Sequence, residues 1–222
     1  YLFRYMSDPN SKYYGYYYYD SALNAAAYNR TNQRFYVYDY LERSTDSTEG
    51  AGAHSDFLPL NSPYANTNGR TPATYRYDGD KGEYVGTTHY LYEAQTADPP
   101  VSANFYFGMS VDIKFYLPNN PGSGGNKDLY GRDMHFKFSG DDDVWVFVDD
   151  KLVLDLGGIH GIESGDINFS TGTVTINGQA DPGLSSTLKT IGPGDHTLTI
   201  YYLERGSSQS NCAIYFNLAP RF

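Results

Sequence analysis

The sequence predicts an all-β domain, a β-barrel or sandwich with long loops and at most a short helix. Three observations carry the all-β class. Tyrosine and phenylalanine, 24 and 12 copies against a single Trp, are residues that favour strands. No segment sustains a helical period, while several short runs alternate apolar and polar residues as half-buried strands do. The 23 Gly and 11 Pro supply the turns that many short strands need.

Residues 13–20 (YYGYYYYD) read as a short aromatic strand. Residues 21–28 (SALNAAAY) are the best helix candidate, with Ser21 as N-cap and an Ala-rich body. So short a helix would decorate the fold. Residues 34–41 (RFYVYDYL) alternate and read as a strand. Residues 43–82 are rich in Ser, Thr, Asn, Gly and Pro and predict long loops, anchored at Phe57-Leu58. Within them, residues 78–83 (DGDKGE) faintly resemble a calcium loop. They lack its third acidic position and its glycine at the right step, so a plain turn is expected.

Strands follow at 105–107 and 111–117, then a flexible connection at 118–126, then an alternating strand at 134–138. Residues 144–148 (VWVFV) are apolar on both faces and predict a central strand covered on both sides, with Trp145 in the core. Asp149-Asp150 turns the chain into 152–156 as a hairpin. Phe169 and 173–176, ending at Asn177-Gly178, give another strand and turn. Residues 177–196 read as a connection, and 197–203 and 212–218 as a closing strand pair joined by 204–211. The whole, 1–222, is expected to form a single β-domain, with N-terminal strands and decorating loops over 1–100 and the core over 101–222.

The chain carries 26 acidic and 16 basic side chains, a formal net charge of −10. Nucleic acid and anionic membrane surfaces are therefore poor partners. No stretch approaches the ~20 apolar residues of a membrane span, so no membrane insertion is expected. The abrupt start at Tyr1 reads as a segment of something longer, a monomeric module of a larger chain. The lone Cys212 alternates with apolar neighbours and reads as a buried small hydrophobe. A single cysteine suits a Gram-positive surface protein better than a eukaryotic secreted domain.

Chemistry concentrates in residues 138–161, FSGDDDVWVFVDDKLVLDLGGIHG. Asp141, Asp142 and Asp143 run directly into an apolar strand. Like charges crowded at the start of a buried strand repel and resist desolvation, so a fold keeps them when something positive sits on them. A hard, oxygen-preferring cation, Ca²⁺, is the best candidate. His160 lies among glycines that let its loop approach the acidic cluster. It can hydrogen-bond a sugar or pack that loop. Asp155 is expected to hydrogen-bond the same loop.

The same stretch, with SGDINFSTG (164–172) and HTLTIYYLERGSSQSN (196–211), closely resembles the fibro-slime domain. FGMSVDIKF (107–115) and, more weakly, YYGYYYYDSALNAAAYN (13–29) extend the resemblance. That family occurs in slime-mould matrix and signalling proteins and in large bacterial surface proteins. It is similar in turn to the anthrax-protective-antigen-type β-domain, whose lectin members are calcium-dependent adhesins. The resemblance implies that Asp141 and Asp142 form a cis-linked aspartate pair on Ca²⁺. It implies Glu204 as a further ligand from a distant loop, with backbone carbonyls at Gly206 and Ser208. Ca²⁺ accepts ~6–8 oxygens, which leaves room for a sugar diol. Asp143, which stands where the family often has Gly, His160, Tyr202 and Asn211 are the residues expected to border the ligand. Tyr130 and Tyr202 are candidates for stacking on it.

An enzyme is not expected. Glycosidases need carboxyls ~5–9.5 Å apart on either side of the bond with separated pKa values, unlike neighbours sharing one cation. No nucleophile elbow, HExxH or Cys/His pair is present. The sequence thus points to a calcium-dependent carbohydrate-binding adhesin module at an extracellular, bacterial cell surface. The alternative is a structural stalk module in which Ca²⁺ only rigidifies the fold.

Overall fold

Buried and more exposed residues alternate along residues 135–140, 194–204 and 212–216, because each of these strands presents one face to a shared core and one to solvent. The computed structural model describes residues 2–29, 32–39, 57, 59–60, 76–78, 83–85, 106–205 and 210–220. Strands β1 (Arg4–Tyr5), β2 (Tyr17–Asp20), β3 (Asn24–Asn29), β4 (Arg34–Asp39), β5 (Arg76–Asp78) and β6 (Glu83–Val85) come first. They are followed by β7 (Phe107–Leu117), β8 (His135–Gly140), β9 (Asp143–Val148), β10 (Lys151–Leu156), β11 (Glu163–Asn168), β12 (Thr173–Ile176) and β13 (Gln179–Ala180). Helix α1 (Pro182–Leu188), β14 (Gly194–Glu204), β15 (Cys212–Phe216) and β16 (Ala219–Pro220) complete the order.

Two antiparallel sheets form a sandwich. A seven-stranded sheet has the order β1-β2-β15-β8-β11-β12-β13, and a five-stranded sheet the order β10-β9-β14-β7-β16. Neither closes into a barrel. Hairpins β3-β4 and β5-β6 stand as separate two-stranded sheets. Between the large sheets lie Phe115, Phe136, Phe138, Val144, Val146, Val148, Ile167, Leu198, Ile200 and Ile214, all essentially without solvent exposure. The free thiol of Cys212 is buried there too. Among the described residues no helix is long and apolar enough to cross a membrane.

Four expectations are corrected. Residues 24–29 form β3, not a helix: all six residues of β3 pair in register with β4, and that ladder outweighs the helix preference of an Ala-rich run too short to nucleate alone. The strands expected at 105–107 and 111–117 are one strand, β7, from Phe107 on, because β14 pairs with it without a break across Gly108. In β9, Val144, Val146 and Val148 are buried while Trp145 and Phe147 are half-exposed on the outer face. The strand is central in its sheet but covered on one side, and Trp145 is not core. The connection at 177–196 contains α1, started by Asp181, whose carboxylate accepts the Leu184 N–H at 2.8 Å, and by Pro182 in the first turn.

Other expectations hold. Asp149, at φ 53°, turns β9 into β10, and Asn177 and Gly178 take φ 50° and 76°, as a tight hairpin turn of the primed type requires. Phe57 is fully buried and anchors its segment; Leu58 lies outside the described residues. Asp78 pairs with Glu83 across β5-β6, while residues 79–82, where a plain turn was expected, lie outside the described residues.

Candidate metal and ligand site

Three chain crossings between the sheets meet at one end of the sandwich. Residues 141–142 pass from β8 to β9 and residues 157–162 from β10 back to β11, and Arg205, Ser210 and Asn211 flank the link from β14 to β15. Register brings them together: Glu163 and Cys212 both pair with Gly140, Leu203 with Asp143, and Leu156 with Val144. Gly140 permits the closest approach. A β-carbon there would fall 2.2 Å from the Asn211 carbonyl oxygen, a distance no side chain tolerates.

Asp141, Asp142, Asp143 and Glu204 are all buried, with relative exposures of 6%, 3%, 1% and 1%. Asp141 accepts the Asn211 backbone N–H at 2.6 Å and its side-chain amide at 2.7 Å, while its own N–H donates to the Asn211 carbonyl. The first and third crossings are thereby tied. Asp142 turns the chain with φ 58°, a left-handed conformation that Asp tolerates better than most residues. Its carboxylate accepts the Arg205 N–H at 2.6 Å. Asp143 accepts the Gly158 N–H at 2.6 Å from the second crossing, and its other oxygen pairs with Arg205 Nε. That ion pair lies off the N–H direction, so this oxygen has no directed hydrogen bond. The structure thus gives Asp143 a partner in Arg205.

Glu204 ends β14 facing inward. Burial pushes its pKa up to about 7, and the adjacent Asp142 carboxyl adds to the rise against the hydroxyls of Ser210 and Tyr202. Two carboxyls in contact away from water favour keeping one proton between them. Tyr202 donates its hydroxyl to Glu204 at 2.9 Å. It has no solvent exposure, so the expectation that Tyr202 stacks on a ligand is corrected: it is in phase with Leu198 and Ile200 and supports Glu204 from the core. Tyr130 is exposed. Ser210 donates to the Phe57 carbonyl at 2.7 Å and accepts the Phe57 N–H through its own carbonyl, so the third crossing rests on the Phe57 anchor.

His160 sits in the second crossing. Its ring nitrogens face the Gly161 and Leu156 carbonyls at 2.7 and 3.0 Å. Burial works against its charge, but those carbonyls, with Glu163 and Asp142, raise its pKa overall. Asp155 accepts the Gly157 N–H, as expected. Gly206 and Ser208 lie outside the described residues.

Asp141, Asp142, Asp143, Glu204, Asn211 and His160 are therefore gathered at one end from three crossings. Among the described residues no three acidic, His or Cys side chains are already arranged around one metal-sized point. The carboxylates are instead turned onto N–H donors and Arg205. Sequence reasoning missed Ser210 and Phe57 as parts of this end. The signal for Ser210 and Phe57 was slight, since the pairing that joins them spans 153 residues.

Residues 134–220 match the PA14 domain family, which supports a protective-antigen-type β-domain over that part of the chain. PA14 domains commonly bind carbohydrates. The curated relatives include Protein psiF of Dictyostelium discoideum, 39% identical over 83 residues, covering 37% of this chain and 11% of that protein. Protein psiH of the same organism is 32% identical over 145 residues, 61% of this chain and 17% of its own length. Protein psiG is 55% identical over 74 residues, 33% of this chain and 9% of its own length. The chain thus spans less than a fifth of the length of these relatives. They are Dictyostelium proteins, so the bacterial source expected from the sequence finds no support in them. No solved structure matches the chain significantly.

Proposed function

We propose that this chain is a calcium-dependent carbohydrate-binding module of the adhesin type, exposed outside the cell as part of a longer protein and without catalytic activity. Residues 105–222 would make it a fibro-slime branch of the PA14-type domains. The observation that carries the reading is the burial of Asp141, Asp142 and Glu204 together at one end of the sandwich. Two of these carboxyls touch, and one is held near a neutral pKa by that contact and by burial. Such a group is costly without a counter-charge.

The donor set fits a hard cation. Asp141, Asp142 and Glu204 are oxygen ligands, and neither soft thiolate nor free imidazole stands among them. These three residues would hold the ion, with carbonyl oxygens near Gly206 and Ser208. Bound Ca²⁺ would supply a positive charge able to take sugar hydroxyls into its remaining positions. The chain's part is to present three carboxylates on a rigid sheet end. Tyr202 and Ser210 orient Glu204, and Asn211 orients Asp141. Loading requires Glu204 to lose its proton and the carboxylates to turn from their N–H donors.

A glycan array probed with and without chelator tests this. Hits that vanish on chelation support the lectin reading. An absence of hits from a domain that calcium nevertheless stabilises would replace it with a purely structural module.

A further inference from the structure

Arg205 is the one cation seated directly on the acidic end among the described residues. Its Nε pairs with an Asp143 carboxylate that is only 2% exposed, while the Arg205 side chain is 46% exposed. Its backbone N–H is fixed on Asp142. The guanidinium is therefore held at one edge and open at the other: no further acceptor among the described residues bonds its terminal N–H groups. An arginine gripped through Nε and free at its terminal nitrogens offers the planar fork that matches a carboxylate.

The neighbourhood suits an acidic sugar. The other oxygen of Asp143 is held by Gly158, and from that crossing Ile159 and Ile162 project into solvent, 71% and 62% exposed. They offer apolar surface to the C–H faces of a pyranose beside the charged fork. His160, between them in sequence, has both ring nitrogens against the Gly161 and Leu156 carbonyls, which fixes the ring within this crossing. Arg205 thus sets a positive charge at the border of an otherwise acidic end, where an anionic group can meet it.

We propose that Arg205 sets the ligand specificity of this end of the sandwich, and that the ligand class is glycans bearing a carboxylate, such as uronic or sialic acids. This rests on the carbohydrate-binding reading above. Asp143 is then the positioning residue for Arg205 rather than a calcium ligand.

The test compares wild type and Arg205→Lys on immobilised neutral, carboxylated and sulfated oligosaccharides in calcium, with calcium affinity measured separately by calorimetry. Lysine keeps a charge beside buried Asp143, so the fold is retained, but it lacks the fork. Wild type should bind carboxylated glycans at least about tenfold tighter than neutral counterparts. The variant should lose most of that preference with calcium affinity unchanged within about twofold. Equal binding of neutral glycans, a preference for sulfated ones, or a preference that survives in Arg205→Lys overturns the assignment to Arg205 and leaves the lectin reading standing. No glycan binding at all by calcium-loaded protein overturns both.

Discussion

Replacing Glu204 by Gln should remove a pH dependence that the metal-free domain otherwise carries. Glu204 has its pKa raised from 4.5 to about 7 in the fold. An acid whose folded pKa is raised binds its proton more tightly folded than unfolded. Its contribution is fully present below the unfolded value and is lost as pH rises through the folded one. At about 1.4 kcal/mol per tenfold change in proton affinity, the displacement amounts to about 3 kcal/mol, lost between roughly pH 4.5 and pH 8. Gln keeps an oxygen for the Tyr202 hydroxyl and cannot ionise. Urea unfolding in chelator, followed by fluorescence of the single Trp, Trp145, should therefore show the two proteins converging near pH 4.5. By pH 8 the variant should be about 3 kcal/mol the more stable. Calcium should restore the wild type at pH 8 and leave the variant little changed. Parallel stability curves for the two proteins would refute the claim that Glu204 and Asp142 are in unfavourable contact.

Phe57→Ala should destabilise the domain by about 3–5 kcal/mol by urea melts, because Phe57 is fully buried against Tyr19, Phe107 and Tyr202. The same variant should weaken calcium binding, since Ser210 is held by the Phe57 backbone. Gly140→Ala forces the first and third crossings apart, at a cost of about 1–3 kcal/mol, and should raise hydrogen exchange at the Asn211 amide that Asp141 now holds. Asn211→Ala removes one charge-assisted hydrogen bond to Asp141 and leaves the backbone one, so a loss of about 1–2 kcal/mol by thermal or urea melts is expected.

The sheet architecture was legible where alternation and turn chemistry were local. The Asn177-Gly178 turn, the β9-β10 hairpin and the 197–203 body of β14 could be read from neighbouring residues. β3 could not, because pairing with β4 decides its conformation against its own Ala-rich preference. Trp145 was misplaced because VWVFV is apolar throughout. Its β-branched residues share one phase and its aromatics the other, and only the sheet reveals that the first phase faces the core. Tyr202 shows the converse: its phase with Leu198 and Ile200 was visible and should have placed it inside.

The acidic run itself announced a site through electrostatics alone. Its meeting with Asn211 and Arg205, 70 and 63 residues away, depends on two crossings falling at the same sheet end. That is a property of topology, which no local pattern encodes. The same topology divides the run into roles, with Asp141 tied to Asn211, Asp142 facing Glu204, and Asp143 seating Arg205.

Calcium titration calorimetry at neutral pH on wild type and on Asp141→Asn with Asp142→Asn tests the central claim most directly. Asn preserves side-chain shape and accepts the left-handed backbone found at Asp142. One calcium should bind the wild type, and the double variant should lose that binding while remaining folded. Unchanged calcium affinity in the variant, or no calcium binding by the wild type, would contradict the account.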